Sequence, residues 1–331
     1  MNKVINTIKD LALPIAMVIG TICYLIGRYT PALDDFGNWL EPIANESLPV
    51  FLFLVLYVTF CKVDFHKMRF EVWHLWVVVV QTILTIIPVA VILYAIDGEQ
   101  DKIFWEATLM CIIGPTATAS AVVTAKLGGD LASMTAFTLL SNFVGAVEIP
   151  FFLPLIEAHA DLTFIQAFLV ILYKVFIVLI LPLFLAWITR RYLPRVQSWV
   201  VAHPDLGFYI WAGSLIIVMG TTVKNIFNSH ASIILLLMIA LSALVVTLLQ
   251  FGLGKLIGRY KNGRITAAQA LGQKNTSFEI WISYTYLNPA SSVGPGCYIL
   301  WQNLVNSWEL WRDRKLVSRS QAIREAFDTK E

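Results

Sequence analysis

The chain has 331 residues, of which 58% are apolar and only 14% are charged, with a formal net charge of +2. A soluble domain carries about 25% charged residues, so this composition excludes a cytosolic enzyme, a disordered protein and a nucleic-acid-binding protein. The mean hydropathy of +0.71 favours a helical membrane protein with many spans.

Ten continuous apolar runs follow one another, each close to the roughly 20 residues that a membrane-spanning helix needs. Their continuity favours helices over the alternating strands of a membrane barrel. No small-residue cleavage site follows the first run, so we interpret it as a span and not as a signal peptide. The predicted spans are 11–27, 47–62, 73–96, 104–126, 131–156, 163–188, 207–223, 231–257, 265–287 and 290–310.

The basic residues predict how these spans are oriented. Of the 24 Lys and Arg residues, 19 fall in loops of one side or in the terminal segments, whereas Arg28, Lys102 and Lys224 fall in loops of the other side. Because basic residues resist translocation, this asymmetry predicts a multi-pass protein of the inner (plasma) membrane with both termini in the cytoplasm. The remaining two, Lys174 and Lys274, fall inside predicted spans, where a charge is costly and commonly functional.

Two of the predicted spans are interrupted near their centres. The fourth contains Gly114 and Pro115 followed by small hydroxyl residues, and proline removes a donor and clashes with the preceding turn. The ninth contains Gly272 followed by a polar stretch to Ser277 that includes Lys274. Both interruptions lie in the fourth span of a five-span half, which is typical of an inverted-repeat transporter. Kinked helices that only pack closely are the alternative.

Three segments of the chain carry a resemblance to known transporters. The stretch 114–130 looks like the Cys-Pro-Gly-Gly-Thr-Ala-Ser-Asn…Lys-Gly-Asp segment of the bile acid:sodium symporter family. The stretch 293–303 is similar to that family's Leu-Pro-Gly-Ala…Trp-His-Asn signature, and 272–277 sits where the family has Glu-x-Gly-x-Gln-Asn. The runs 128–130 and 139–141 also look like the auxin-efflux-carrier family, which shares the fold.

The resemblance implies an all-α polytopic membrane protein of ten transmembrane helices. These would form two inverted five-helix repeats, with broken helices 4 and 9 crossing at their centres. Helices 1, 2, 6 and 7 would form a panel and the others a core, with substrate in the cleft between them. The corresponding segments are 1–62 and 161–228 for the panel, 63–160 and 229–311 for the core, and 312–331 for a cytoplasmic tail.

The resemblance also places two sodium ions behind the crossing in sodium-coupled members, and several of the expected ligands are replaced here. The family's Ser-Asn pair falls on Ser120 and Ala121, its glutamate on Ala270 and its glutamine on Lys274. An ammonium and a sodium ion repel each other in one small cavity. We therefore expect that sodium is not coupled in the usual way.

We expect Lys274 to act as a built-in cation that replaces sodium. Its expected partners are nearby carbonyl groups and the hydroxyl groups of Thr116, Thr118 and Ser120. The alternative is a lysine paired with Glu148 or Glu279 for structure alone. Because a buried lysine loses its proton readily, proton coupling also stays open.

Further polar residues inside the spans are candidates for the substrate and ion sites. Lys174 is expected across the cleft from Lys274, although a snorkelling or ion-paired lysine is equally compatible with the sequence. Gln81 is either an ion ligand or a helix-to-helix hydrogen bond. The substrate candidates are Thr116, Thr118, Ser120, Lys174, Lys274, Asn275 and Thr276. The ion-site or coupling candidates are Lys274, Ser120, Thr138, Gln81, Glu148 and Glu279.

These features predict a secondary transporter of organic anions, bile-acid-like or other carboxylates, that works by alternating access. Three alternatives remain, namely an ordinary sodium-coupled bile acid symporter, an auxin-carrier-like anion carrier, and a non-transporting ligand sensor on the same scaffold. An enzyme is not expected, because the chain has no phosphate-binding glycine loop and no nucleophile elbow. The expected partners are a small organic anion and the lipid bilayer, without a cofactor, a resident metal or a nucleic acid.

Overall fold

The computed structural model describes residues 12–157, 162–228, 231–261 and 263–328, and within them the chain is all-helical, as the sequence predicts. The predicted limits at residues 11, 160, 161 and 229 and both chain termini lie outside these ranges. The helices are α1 Ala12–Tyr29, α2 Asp34–Lys62, α3 Val72–Tyr94, α4 Glu99–Ile113, α5 Ala119–Lys126, α6 Leu131–Ile156, α7 Phe164–Val175, α8 Leu181–Tyr192, α9 Pro194–Ala202, α10 Leu206–Asn228, α11 Ile233–Ile257, α12 Arg264–Gly272, α13 Thr276–Tyr286 and α14 Val293–Asp328.

Five of the described helices are long and apolar enough to cross a membrane as single helices. They are α3, α6, the continuous pair α7–α8, α10 and α11. A sixth results if Ile15–Tyr29 and Pro31–Ala44, which meet at 105°, count as one bent span. Their outward faces are apolar, as at Ile83 and Leu241, which are 54% and 60% exposed. The protein is therefore a multi-pass membrane protein, and the count of ten spans stays a prediction.

The structure differs from the predicted spans at α2. The sequence leaves 28–46 as a loop, but α2 begins at Asp34 and continues through two proline residues. As the sequence predicts, the fourth and ninth spans are interrupted, and each is divided into two short helices, of 15 and 8 residues for α4 and α5 and of 9 and 11 residues for α12 and α13. Neither half is long enough to cross a bilayer by itself.

The turn between α5 and α6 explains one of the motifs in the sequence. Gly128 has a φ of 76°, a left-handed conformation that glycine adopts without a steric penalty. Asp130 then caps α6, because its side chain accepts hydrogen bonds from the backbone N–H groups of Ala132 and Ser133 at 2.9 and 3.0 Å. The Gly-Gly-Asp run thus forms a turn and a helix cap.

The described helices pack in two groups. In the first, α1 packs along α10, and α2 packs against α8 and α10. Gly20 allows close contact there, since it lies against the backbone of α10 at Ile216 and Gly220. In the second group, α3, α6, α11 and α14 pack around the two interrupted helices, α4–α5 and α12–α13. The groups meet where α13 contacts α2 and α10, where α14 contacts α10, and where α7 packs along α6.

Candidate functional site

The two helix interruptions pair with each other inside the second group of helices. The segment that joins α4 to α5 and the segment that joins α12 to α13 are both extended and antiparallel. The backbone N–H of Ala117 donates to the carbonyl of Gln273 at 3.0 Å. The N–H of Asn275 donates to the carbonyl of Pro115 at 2.9 Å. Each broken helix therefore supplies partners for backbone groups that the other break leaves free, as a water-poor interior requires.

Lys274 lies at the centre of this pairing, opposite Thr116, and its side chain is fully buried. Its ammonium donates to the Oε1 atom of Gln81 at 2.8 Å and to the carbonyl of Gly114 at 3.0 Å. Its backbone N–H donates to Oε1 of Gln302 at 2.9 Å, and Nε2 of Gln302 donates back to its carbonyl at 3.4 Å. These bonds offset part of the cost of burying a charged group.

The carbonyl that holds the ammonium is free because of the local sequence. A residue before proline is driven to extended backbone, and Gly114 precedes Pro115. Gly114 accordingly has φ −62° and ψ 150°, which turns its carbonyl out of the α4 hydrogen-bond ladder. The Gly-Pro pair that identifies the break in the sequence thus also creates an oxygen ligand for Lys274.

The hydroxyl groups that were expected to hold Lys274 have other partners. The Thr116 hydroxyl donates to the carbonyl of Ala270 at 2.6 Å, and the Thr116 N–H donates to the Ser141 hydroxyl at 2.9 Å. The Ser120 hydroxyl donates to a carbonyl one turn earlier, at 2.6 Å. Within the described structure the ammonium therefore bonds a side-chain amide and, as expected, a nearby backbone carbonyl. The Thr116 hydroxyl instead ties the two breaks together, and the Ser120 hydroxyl bonds within its own segment.

The two predicted acidic candidates are buried near the lysine but form no ion pair with it in the part of the chain that the structure describes. Oε1 of Glu148 accepts a hydrogen bond from the Thr82 hydroxyl, and its Oε2 has no hydrogen-bond partner. Glu279 packs directly against Gly114, and neither of its carboxylate oxygens has a hydrogen-bond partner among the described residues. The same residues contain no group of three or more His, Cys, Asp or Glu side chains that would hold a metal ion.

Two other candidates have partners other than Lys274. Thr138 is buried, and its hydroxyl donates to the Met134 carbonyl of its own helix at 2.9 Å. Lys174 is exposed, and its ammonium lies 5.6 Å from the centre of the Tyr286 ring, within the range of a cation–π contact.

A cavity of about 790 Å³ lies between the two groups of helices, beside the crossing. One wall comes from α2 and α10, and the other from α5, α14 and the two interruptions. Four predicted substrate residues line it, namely Thr118, Lys274, Asn275 and Thr276. Most of the lining is apolar with a few polar groups, which is typical of a site for a small molecule.

Basic residues lie where this cavity opens. Lys62, Lys67 and Lys126 all contribute to its lining. Lys67 also pairs with Asp64 at 3.4 Å. A positive rim raises the local concentration of anions. All three lysines belong to segments that the charge pattern predicts to be cytoplasmic.

The comparison with known families decides the class of protein. A family profile described as Sodium Bile acid symporter family matches residues 49–250, from within α2 to within α11. This chain belongs to the sodium bile acid symporter family. The resemblance in the sequence is thereby confirmed, and the protein is a membrane transporter of the bile acid symporter type. No curated protein sequence matches the chain.

The site of this family member also contains polar residues that the sequence did not assign to it. The Tyr298 hydroxyl donates to the freed carbonyl of Gly272 at 2.7 Å, and Gln250 donates to the carbonyl of Cys111 at 2.9 Å and to the Tyr298 hydroxyl at 3.0 Å. Gln302 hydrogen-bonds the backbone N–H and carbonyl groups of Lys274, as described above. The available signal was an isolated amide or phenol in an apolar span, which rarely occurs without a buried partner.

Proposed function

We propose that this transporter carries an organic anion by alternating access and uses the Lys274 ammonium where sodium-coupled relatives hold a sodium ion. Ten helices in two inverted repeats would provide the scaffold. The observation that supports the proposal is the position of the ammonium, buried at the crossing between the Gln81 amide and the Gly114 carbonyl. Both are neutral oxygen ligands of the kind that a sodium ion would accept.

Electrostatic repulsion prevents the Lys274 ammonium and a sodium ion from occupying the crossing together. Two unit charges 4 Å apart repel by about 4 kcal/mol at an effective dielectric constant of 20. That energy corresponds to a roughly thousandfold loss of affinity. A sodium ion near the Lys274 ammonium would therefore bind far too weakly to couple transport.

The positive charge of Lys274 and the helix end beside it favour an anionic substrate in the cavity. Asn275 and Thr276 form the start of α13 and line the cavity, so the partly positive end of that helix faces the substrate space. The apolar walls from α2 and α10 would accommodate the body of an amphipathic anion. Thr116 would act from behind by holding the two breaks together, and Ser120 by bonding the backbone of its own segment.

The proposed panel and core are supported by the packing of the helices. Segments 1–62 and 161–228 include the first group of described helices, whereas 63–160 and 229–311 include most of the second. The cavity lies between the groups and has Lys62, Lys67 and Lys126 at its opening. With the predicted orientation, this opening faces the cytoplasm.

The test is the uptake of radiolabelled organic anions, including taurocholate and pyruvate, into proteoliposomes. We expect equal initial rates in sodium and in potassium for the unchanged protein. Lys274→Gln places an amide where the resemblance puts the family's glutamine, and it should lower uptake in potassium about tenfold, or by about 1.4 kcal/mol. The matched control is Lys224→Gln, which removes the ion pair with Glu41 and should leave uptake unchanged.

Three results would contradict the proposal. A sodium gradient that accelerates uptake several-fold in the unchanged protein would restore the ordinary symporter. Saturable anion binding without uptake in either cation would favour the ligand sensor. Uptake by Lys274→Gln equal to that of the unchanged protein would assign the lysine a structural role.

A further inference from the structure

Glu279 is the least satisfied ionisable group that the structure describes at the crossing. It is fully buried one turn into α13, and neither carboxylate oxygen has a hydrogen-bond partner among the described residues. A buried ionised carboxylate without hydrogen bonds is far more costly than a neutral carboxyl group. We propose that Glu279 is the proton-binding residue of this transporter, and that it is neutral in the described conformation and takes up one proton with each substrate anion.

The neighbouring buried carboxylate provides an internal comparison. Glu148 receives the Thr82 hydroxyl as a donor, whereas Glu279 receives no donor within the described residues. The Lys274 ammonium has two oxygen acceptors, which suits its charged form. One positive lysine is thus matched by one negative glutamate, Glu148, and the neutral carboxyl of Glu279 keeps the buried crossing free of net charge.

The titratable groups near Glu279 come from three elements. Lys274 precedes the helix that carries it, Cys111 belongs to α4, and Tyr298 belongs to α14. A thiol and a phenol are uncharged at neutral pH in water. Lys274 is consequently the charged group that favours ionisation of Glu279, and the two lie on either side of Gly114.

The position of Glu279 links its proton to the substrate. Asn275 and Thr276 line the cavity, and the N–H of Glu279 donates to the Asn275 carbonyl at 3.0 Å in the first turn of α13. An anion bound at that helix start lies about one turn, roughly 5 Å, from the carboxyl group and disfavours its ionised form. By linkage, a proton on Glu279 strengthens anion binding by the same factor, typically about 5–150-fold.

This coupling would make the protein a proton–anion symporter, and the inference rests on the proposed anion transport. The carboxylate takes up the proton with the anion while the cavity is open to one side, and the carboxyl group releases the proton with the anion after the cavity has opened to the other side. One proton and one monovalent anion move together, so the step carries no net charge. An inward proton gradient would then drive accumulation of the anion.

The first test measures the protonated carboxyl group without any substrate. The infrared carbonyl band of protonated carboxylic acid should be present in the purified protein at neutral pH. It should be lost in Glu279→Gln, kept in Glu148→Gln, and restored at a shifted position in Glu279→Asp, which also controls for misfolding. A band that survives in Glu279→Gln would overturn the proposal.

The second test measures coupling in proteoliposomes with taurocholate, whose sulfonate stays ionised. An acidic exterior should accelerate uptake about fivefold or more in the unchanged protein and in Glu41→Gln. Glu279→Gln should lose this response while still exchanging internal for external taurocholate. Retention of the response in Glu279→Gln would refute the coupling, whereas sodium-stimulated uptake by the unchanged protein would refute the proposed function instead. The infrared comparison decides the state of Glu279 in either case.

Discussion

Two glycine residues of α11 allow the packing against the broken ninth span to be tested with a matched pair. Gly254 is buried and faces the backbone of α12, whereas Gly252 is exposed and has no atom within 4 Å of the position where a Cβ would lie. A Cβ on Gly254 would overlap the Ala267 carbonyl oxygen and lie 2.7 Å from the Cα atom of Ala268. We expect Gly254→Ala to destabilise the protein and Gly252→Ala to leave it unchanged or more stable.

The size of the effect follows from the contact distances. Two carbon atoms pack best at about 3.5–4.0 Å, so α11 and α12 would have to separate by roughly 1 Å. The clashing atoms belong to backbone and cannot rotate away, and overpacking of this kind costs about 1–3 kcal/mol. Replacing glycine by alanine within a helix gains about 1 kcal/mol at both positions, and this gain cancels between the two variants.

The assay is thermal unfolding of the purified variants, monitored by tryptophan fluorescence. A change of 1 kcal/mol shifts the melting temperature of a chain of 150–250 residues by about 2–4 °C, and by less in a longer chain. We therefore expect Gly254→Ala to melt roughly 2–6 °C below Gly252→Ala. Equal melting temperatures would show that α12 does not pack tightly on α11 and would refute the reasoning.

Three further predictions concern the crossing and the cavity. Gln81→Leu removes an acceptor from a buried ammonium and should cost about 1.5–3 kcal/mol in the free energy of unfolding. That loss should shrink in the Lys274→Met background, and an undiminished loss would contradict the contact. Thr116→Val removes the bond to the Ala270 carbonyl and should lower the free energy of unfolding by about 1 kcal/mol, measured by the melting temperature; an unchanged value would argue against this tie between the breaks. Ala121→Phe fills part of the cavity and should reduce taurocholate uptake more than pyruvate uptake, whereas equal reductions would place the substrate elsewhere.

Local features of the fold could be predicted because their causes are local. The composition predicts an all-helical membrane protein, and Gly114 with Pro115 predicts a break, since proline disrupts the preceding turn whatever surrounds it. The helical segment that begins at Asp34 was not predicted. Its polar and proline residues resemble a loop, and only the complete structure shows that the helix continues through them.

The partners of the site residues could not be predicted in the same way. Gln81 is separated from Lys274 by 193 positions in the chain, so only tertiary packing brings the two side chains to 2.8 Å. The same reason explains why hydroxyl groups near the break in sequence were expected as ligands. Sequence proximity favoured Thr116 and Ser120, but in the folded chain Thr116 joins the two interruptions and Ser120 bonds the backbone of its own segment.

The two lysines inside predicted spans show what the sequence determines and what only the tertiary structure decides. The sequence by itself determined that Lys174 and Lys274 lie within the apolar runs. It favoured a coupling role for Lys274 and left a substrate contact and a structural role equally open for Lys174. Tertiary structure placed Lys274 at the crossing with no exposed surface, and Lys174 on the outside over Tyr286. The physical reason is that hydropathy records the environment of a segment, whereas burial and hydrogen bonding depend on which helices face each residue.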